Sequence, residues 1–366
     1  MGEQGFVRNP PKPRKTRDVV ALRNSLAAWL RGKLKGADQL AVGDLHIPSG
    51  NGISSEIILF DAKWQSCEGN HLEKFAIRVA TTENPFFPGA DFQAEFRMGS
   101  VLSATKVVPV PRTYWFETDT TILGAPFYVM EQLQGRAAPD NPPYNIGGWL
   151  TEVGPEKRAA IWWEGIGAMA RLHQLDWEAA GLGFMRKAAD PQAELQWELD
   201  YYTSFFDWAC EGRRLDVFDR ANQWLRANLP QVGRLHFCWG DARMGNILFH
   251  HEKCNGVLDW EMASLGDPEK DLAYWLFFDR YNREGLGAPV RQGWPSHAET
   301  IAVYERILGR PLQHLRFYEI FAMYRMAVCL TRLIFLSKKN LNLVDADSLL
   351  QNHYFVTSLD RALDKP

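Results

Sequence analysis

The period of the apolar positions changes along this chain. From residue 18 to about 35, Val19, Leu22, Leu26, Trp29, Leu30 and Leu34 recur at helical spacing and predict an amphipathic lead-in helix. Short β-like runs bounded by turn residues follow at 57–64, 74–79, 112–116 and 127–131, with a helical period at 92–102 between the second and third. That order predicts a small antiparallel sheet carrying one helix. Residues 135–148 are rich in Pro, Gly and Asn and read as a crossover segment. Beyond them the helical period dominates, at 156–175, 192–208, 216–229, 269–278, 297–308 and 315–336, broken by β-like pieces at 235–238, 247–249 and 256–259. The pattern implies an α+β protein: a tail over 1–17, a β-rich N-lobe over 18–132 and a mainly helical C-lobe over 133–366.

Composition narrows the partners. A length of 366 residues suits two lobes or domains, and 46% apolar with 23% charged residues describes a globular chain with ample core. The net charge of −3 gives no basic excess for nucleic acid or anionic membrane, so small partners are favoured. Five cysteines, without a C-x-x-C pair, read as reduced thiols. The tail lacks the apolar stretch of a signal peptide, and no apolar run reaches the length of a membrane span. Cytoplasm is the expected location. Oligomeric state is not legible.

The candidate chemistry lies in Phe237-Cys238-Trp239-Gly240-Asp241-Ala242-Arg243-Met244-Gly245-Asn246, followed by Gly256-Val257-Leu258-Asp259-Trp260-Glu261. Asn246 stands five residues after Asp241, and Asp259 eighteen residues after it, at the end of a strand-like run. Phosphoryl transfer asks a protein mainly for positioning and charge neutralisation. One carboxylate must receive the hydroxyl proton while other oxygens hold Mg²⁺ on the phosphates. Asp241, Asn246 and Asp259 match those needs.

The segment resembles the Gly-Asp-x-x-x-x-Asn and Asp-Trp-Glu motifs of aminoglycoside phosphotransferase-like kinases, and Ala263-Ser264-Leu265-Gly266-Asp267-Pro268-Glu269-Lys270-Asp271 extends the match. Its form is close to the branch found as phosphotransferase domains beside acyl-CoA dehydrogenases. The resemblance implies a protein-kinase-like, two-lobed fold with nucleotide between the lobes and ATP or GTP as donor. By it, Asp241 is the catalytic base, Asn246 and Asp259 are Mg²⁺ ligands, and Asp271 braces the catalytic loop. Ser49, Gly50, Asn51 and Gly52 stand where a Gly/Ser loop would cover phosphates. Arg78 takes the place of the phosphate-reaching lysine, with Glu95 as its partner; Met130, Glu131 and Leu133 mark the hinge against the adenine. Trp239 departs from the family by replacing the histidine that steadies the loop.

Other residues have blander readings beside the functional ones. Asp267, just before a helix, reads as a cap rather than a metal ligand. His173 reads as a packed core histidine. Trp197, Tyr201, Phe205 and Trp208 repeat as one aromatic helix face that is either core or a wall of the acceptor site. The aromatic, mixed-charge C-lobe helices favour a hydroxylated metabolite, such as a hydroxyacyl thioester, over a polycationic aminoglycoside. The alternatives are a catalytically silent nucleotide-binding module and a protein kinase, the latter opposed by the lack of an Ala-Pro-Glu segment.

Overall fold

The computed structural model describes residues 18–48, 54–82, 84–341 and 346–365. Asp18 accepts hydrogen bonds from the N–H groups of Val20 and Ala21 and so starts helix α1 (Val19–Lys33), which buries Leu22, Leu26 and Leu30. Strands β1 (Asp38–Val42), β2 (Ser55–Ser66) and β3 (Gly69–Ala80) follow, then helix α2 (Phe92–Thr105), strand β4 (Thr113–Glu117), the short helix α3 (Thr120–Leu123) and strand β5 (Phe127–Glu131). The five strands form one antiparallel sheet in the order β1-β2-β3-β5-β4. The β2–β3 hairpin pairs without slip from Ser55 opposite Ala80 to Ser66 opposite Gly69, well beyond the expected runs. Its outer half alternates with polar residues such as Lys63, His71 and Glu73, which hid its extent. Strand β1, largely exposed, was not expected.

The rest of the chain is helical, with two small β-ladders. Helices α4 (Trp149–Glu152), α5 (Pro155–His173), α6 (Pro191–Ala209) and α7 (Asp216–Ala227) lead to strands β6 (His236–Cys238), β7 (Ile247–His250), β8 (Lys253–Val257) and β9 (Ser264–Gly266). Helices α8 (Glu269–Arg280), α9 (His297–Leu308), α10 (Leu315–Leu341), α11 (Ala346–Asn352) and α12 (Tyr354–Leu363) complete it. β6 pairs with β9, and β7 with β8. Strand β8 stops at Val257, so Asp259 stands two residues past a strand rather than at its end. Its φ of 62° is a left-handed conformation that costs a non-glycine residue about 1 kcal/mol or more.

The chain forms two compact units. One comprises Met1–Gly89, Thr113–Gln132 and Thr331–Leu350; the other Ala90–Arg112, Leu133–Leu330 and Gln351–Pro366. Residues 90–112, with α2, group with the helical unit, and residues 331–350, the latter part of α10 and most of α11, with the sheet unit. Met98 and Leu102 of α2, with Val108 after it, pack with Trp162, Ile166, Trp239 and Leu272, which places α2 in the helical unit. The sheet unit has its own core of Leu26, Leu30, Ile58, Phe75, Ile77 and Val129. The expectation that no run reaches membrane length needs correction: among the described residues, Leu315–Ser337 is long and apolar enough to cross a membrane. Arg316, Glu319, Arg325 and Arg332 interrupt that run in the sequence. Since 83% of its most apolar stretch is buried in the protein, it has the surroundings of a core helix.

Candidate active site

Asp271, fully buried in the first turn of α8, organises the loop between β6 and β7. Its Oδ2 accepts from Trp239 N at 2.6 Å and its Oδ1 from Gly240 N at 2.9 Å. His173 of α5 lies 3.0 Å from Asp271 Oδ2 through Nε2 and 2.5 Å from the Tyr304 hydroxyl through Nδ1. Burial alone would raise Asp271, but the His173 hydrogen bond and the neighbouring Lys270 charge hold it below its ordinary value. It therefore stays a carboxylate, able to accept from two loop N–H groups. His173 is accordingly a packed, bonded histidine. His173 Nε2, Cys238 Sγ and an Asp271 oxygen lie within 4.8 Å of one another. Burial pushes the Cys238 thiol well up, and the other two groups are committed to the brace.

Gly240 occupies φ +88°, and a Cβ there would stand 1.9 Å from the carbonyl oxygen of Met262. Only glycine passes this point. Two further bonds hold the loop: the Trp239 indole Nε1 donates to Leu258 O at 2.8 Å, and Arg325 Nη2 donates to Gly240 O at 3.0 Å. Trp239 is fully buried, as befits a ring used as a structural strut.

On this frame Asp241 and Asn246 meet. Asn246 Nδ2 donates to Asp241 Oδ2 at 2.6 Å and to Asp241 O at 3.1 Å, and both residues are buried. The 3₁₀ turn Met244–Asn246 brings them together, closed by Asn246 N donating to Arg243 O at 3.0 Å. Leu258 N donates to Asn246 O at 2.8 Å, tying the residue before Asp259 to the same loop. Two partners were not foreseen. Arg243 Nε donates to Asp241 Oδ2 at 3.2 Å, while its Nη1 reaches both carboxylate oxygens of Asp140 at 2.9 and 2.8 Å. Burial opposes the Arg243 charge, but Asp140 and Asp241 outweigh it and hold its pKa well above the ordinary value. The one available signal was a cation two residues beyond Asp241, which marks Arg243; Asp140, in the crossover segment, carried none.

The remaining sequence-derived residues are placed as follows. Ser49, Gly50, Asn51 and Gly52 lie outside the described residues. Arg78 is buried on β3, opposite Ile57 and Tyr128 in the sheet, and Met130 and Glu131 end β5 opposite Ala76 and Phe75. Glu95 occupies the first turn of α2, and Leu133 opens the helical segment, its side chain close to Gly256. Asp267 behaves as a cap, its Oδ1 accepting from Glu269 N at 3.0 Å. Trp197, Tyr201, Phe205 and Trp208 do form a continuous ladder of rings, with neighbouring centroids 5.6, 6.1 and 5.9 Å apart. Burial divides it: Phe205 is core, whereas Trp197 is 38% and Trp208 40% exposed.

Known proteins resemble this chain in sequence and fold. A family model, the phosphotransferase enzyme family, matches residues 79–308, more than half of the chain. Among curated relatives, mouse acyl-CoA dehydrogenase family member 10 is 31% identical over 250 residues, covering 65% of this chain and 22% of that protein. Human acyl-CoA dehydrogenase family member 11 is 28% identical over 303 residues, covering 76% of the chain and 36% of the relative. The chain thus spans about a third or less of these relatives. A solved Ralstonia eutropha structure named as an aminoglycoside phosphotransferase superposes with a TM-score of 0.67 at 24% identity, covering 93% of this chain and 97% of that one. Aminoglycoside phosphotransferase APH(4)-Ia, solved with AMP-PNP and hygromycin B, gives 0.52 at 18% identity, covering 93% and 100%. The fold is that of these kinase-like enzymes, and the chain belongs to the phosphotransferase enzyme family.

Proposed function

We propose that the protein is a Mg²⁺-dependent small-molecule kinase that moves the γ-phosphoryl group of ATP or GTP to a hydroxyl of a small substrate. The observation that carries this reading is the 2.6 Å bond from Asn246 Nδ2 to Asp241 Oδ2, in a loop whose backbone is held by the buried Asp271. Asp241 aligns the acceptor hydroxyl and takes its proton. Arg243, shared with Asp140, keeps Asp241 oriented. The Asn246 amide donates through nitrogen to Asp241, so its oxygen is the atom left for a hard cation, and the Asp259 carboxylate is of the same donor class. These two residues would hold Mg²⁺, which when bound neutralises phosphate charge. Arg78 orients the phosphates, and Met130, Glu131 and Leu133 meet the base.

The acceptor in this reading is a hydroxylated metabolite, such as a hydroxyacyl thioester, rather than an aminoglycoside. Two observations support it: the half-exposed rings of Trp197 and Trp208, which suit a more apolar molecule than a polycation, and the similarity to acyl-CoA dehydrogenase family members. The test is Mg²⁺-dependent nucleotide hydrolysis and phosphate transfer across a panel of hydroxyl compounds, with Asp241→Asn alongside. Loss of a general base costs on the order of 10²- to 10⁴-fold in turnover. Equal turnover by the variant removes Asp241 from this role.

A further inference from the structure

We propose that Arg325 is a positioning residue for Asp241: it grips the Gly240 carbonyl from a buried aromatic cage and fixes the peptide from which the catalytic carboxylate projects. The inference rests on the reading of Asp241 as the base.

Arg325 lies in α10, eighty-four residues along the chain from Asp241, and is fully buried. Its guanidinium carbon stands 5.1 Å from the ring centre of Tyr202, 5.3 Å from that of Tyr274 and 5.7 Å from that of Phe321. Burial opposes its charge, while Tyr202, which also hydrogen-bonds the guanidinium, and the field of Glu198 favour it; the Glu198 carboxylate is itself bound to Lys270 Nζ at 2.9 Å. Burying a guanidinium is costly, and ring faces offset only part of the cost. A leucine or methionine would fill the same cage without it. Beside its bond to Tyr202, what the arginine adds toward the loop is a directional bond, Nη2 to Gly240 O at 3.0 Å.

That bond completes a clamp. Gly240 donates its N–H to Asp271 Oδ1 at 2.9 Å on one side and accepts from Arg325 on the other, so both of its backbone polar groups are held by buried charges of opposite sign. With φ at +88° and no room for a side chain, the residue before Asp241 has one available orientation. A carboxylate that must meet a hydroxyl in line with a phosphate gains from this, because a displacement of about 1 Å can cost on the order of 10²-fold in rate.

The experiment measures Mg²⁺-dependent nucleotide hydrolysis and nucleotide affinity of the full chain in Arg325→Met, Arg325→Lys and Asp241→Asn. Arg325→Met fills the cage and removes the bond. Its turnover is expected to fall on the order of 10²-fold with nucleotide affinity unchanged. Arg325→Lys, which keeps a cationic donor, recovers part of that loss. A folded Arg325→Met protein with wild-type turnover overturns the inference, since a purely packing role predicts that result. If Arg325→Met does not fold, Arg325→Gln decides: its shorter, neutral amide cannot hold the carbonyl, so lowered turnover at unchanged affinity supports the clamp and wild-type turnover overturns it. Asp241→Asn inactive beside an active Arg325→Met overturns this inference alone. Wild-type turnover in Asp241→Asn overturns the reading beneath it, and this inference with it.

Discussion

The sheet unit and the helical unit bury charge very differently. Among the described residues, the buried charged side chains of the sheet unit are Arg78 on β3 and Arg332 on α10, in a unit whose core is otherwise an apolar hairpin under α1. The helical unit buries many, including Glu198, Asp241, Glu269, Lys270, Asp271 and Arg325. Each such group must find partners or destabilise the fold. Some of these partners are purely architectural: Glu269 accepts from Gln313 N, His314 N and Arg310 Nη1 and anchors the start of α10. Others are the backbone groups of residues 239 and 240. Where buried charge meets loop backbone, the fold spends stability on geometry, and that is where the chemistry is read.

Three substitutions or conditions test this contrast. Asp271→Ala is expected to have the largest effect, because it strands two loop N–H groups and His173 in the interior. The cost is about 3–5 kcal/mol in stability, with turnover lowered on the order of 10²-fold. Urea denaturation read beside nucleotide hydrolysis checks it, and a stability loss with intact turnover would make Asp271 a fold element only. In the sheet unit, Phe75→Ala removes a fully buried ring that stacks on Phe60 at 5.2 Å, and should cost about 3–5 kcal/mol. Turnover per folded molecule should stay within a few-fold, unlike Asp271→Ala, and a parallel collapse of both quantities would erase the distinction.

The smallest effect is pH-dependent. Burial holds His353 down at about 4, with Nδ1 accepting from Phe355 N at 3.2 Å, so the folded protein keeps this ring neutral. Its contribution to stability is full above its unfolded value near 6.5. It is lost as pH falls from there through about 4, by at most about 3 kcal/mol. Denaturation midpoints of the wild type and His353→Gln across that window should converge as pH falls, and parallel curves would exclude the histidine.

The pairing of Asp241 with Asn246 was legible because a kinase loop sets these residue types five apart, and the bracing role of Asp271 because it follows at the start of a helix. The helical C-lobe was legible from its period. Arg325 was not: it sits in a long apolar helix, and nothing local distinguishes it from an arginine that reaches solvent. Strand β9 was missed because three residues carry no period, and Asp140 because its loop shows only turn chemistry. The affiliation of α2 could not be read either, since its amphipathic face says that it packs but not against what. All of these depend on contacts distant in sequence, which spacing does not encode.

The Met262 carbonyl that crowds Gly240 has an implication for adaptation. A library randomising residues 239–246 should recover glycine alone at position 240, however strong the selection for a new acceptor. The half-exposed Trp197 and Trp208 face no such steric veto. Diversification of the loop therefore stops at position 240, and the aim of the neighbouring carboxylate is frozen with it.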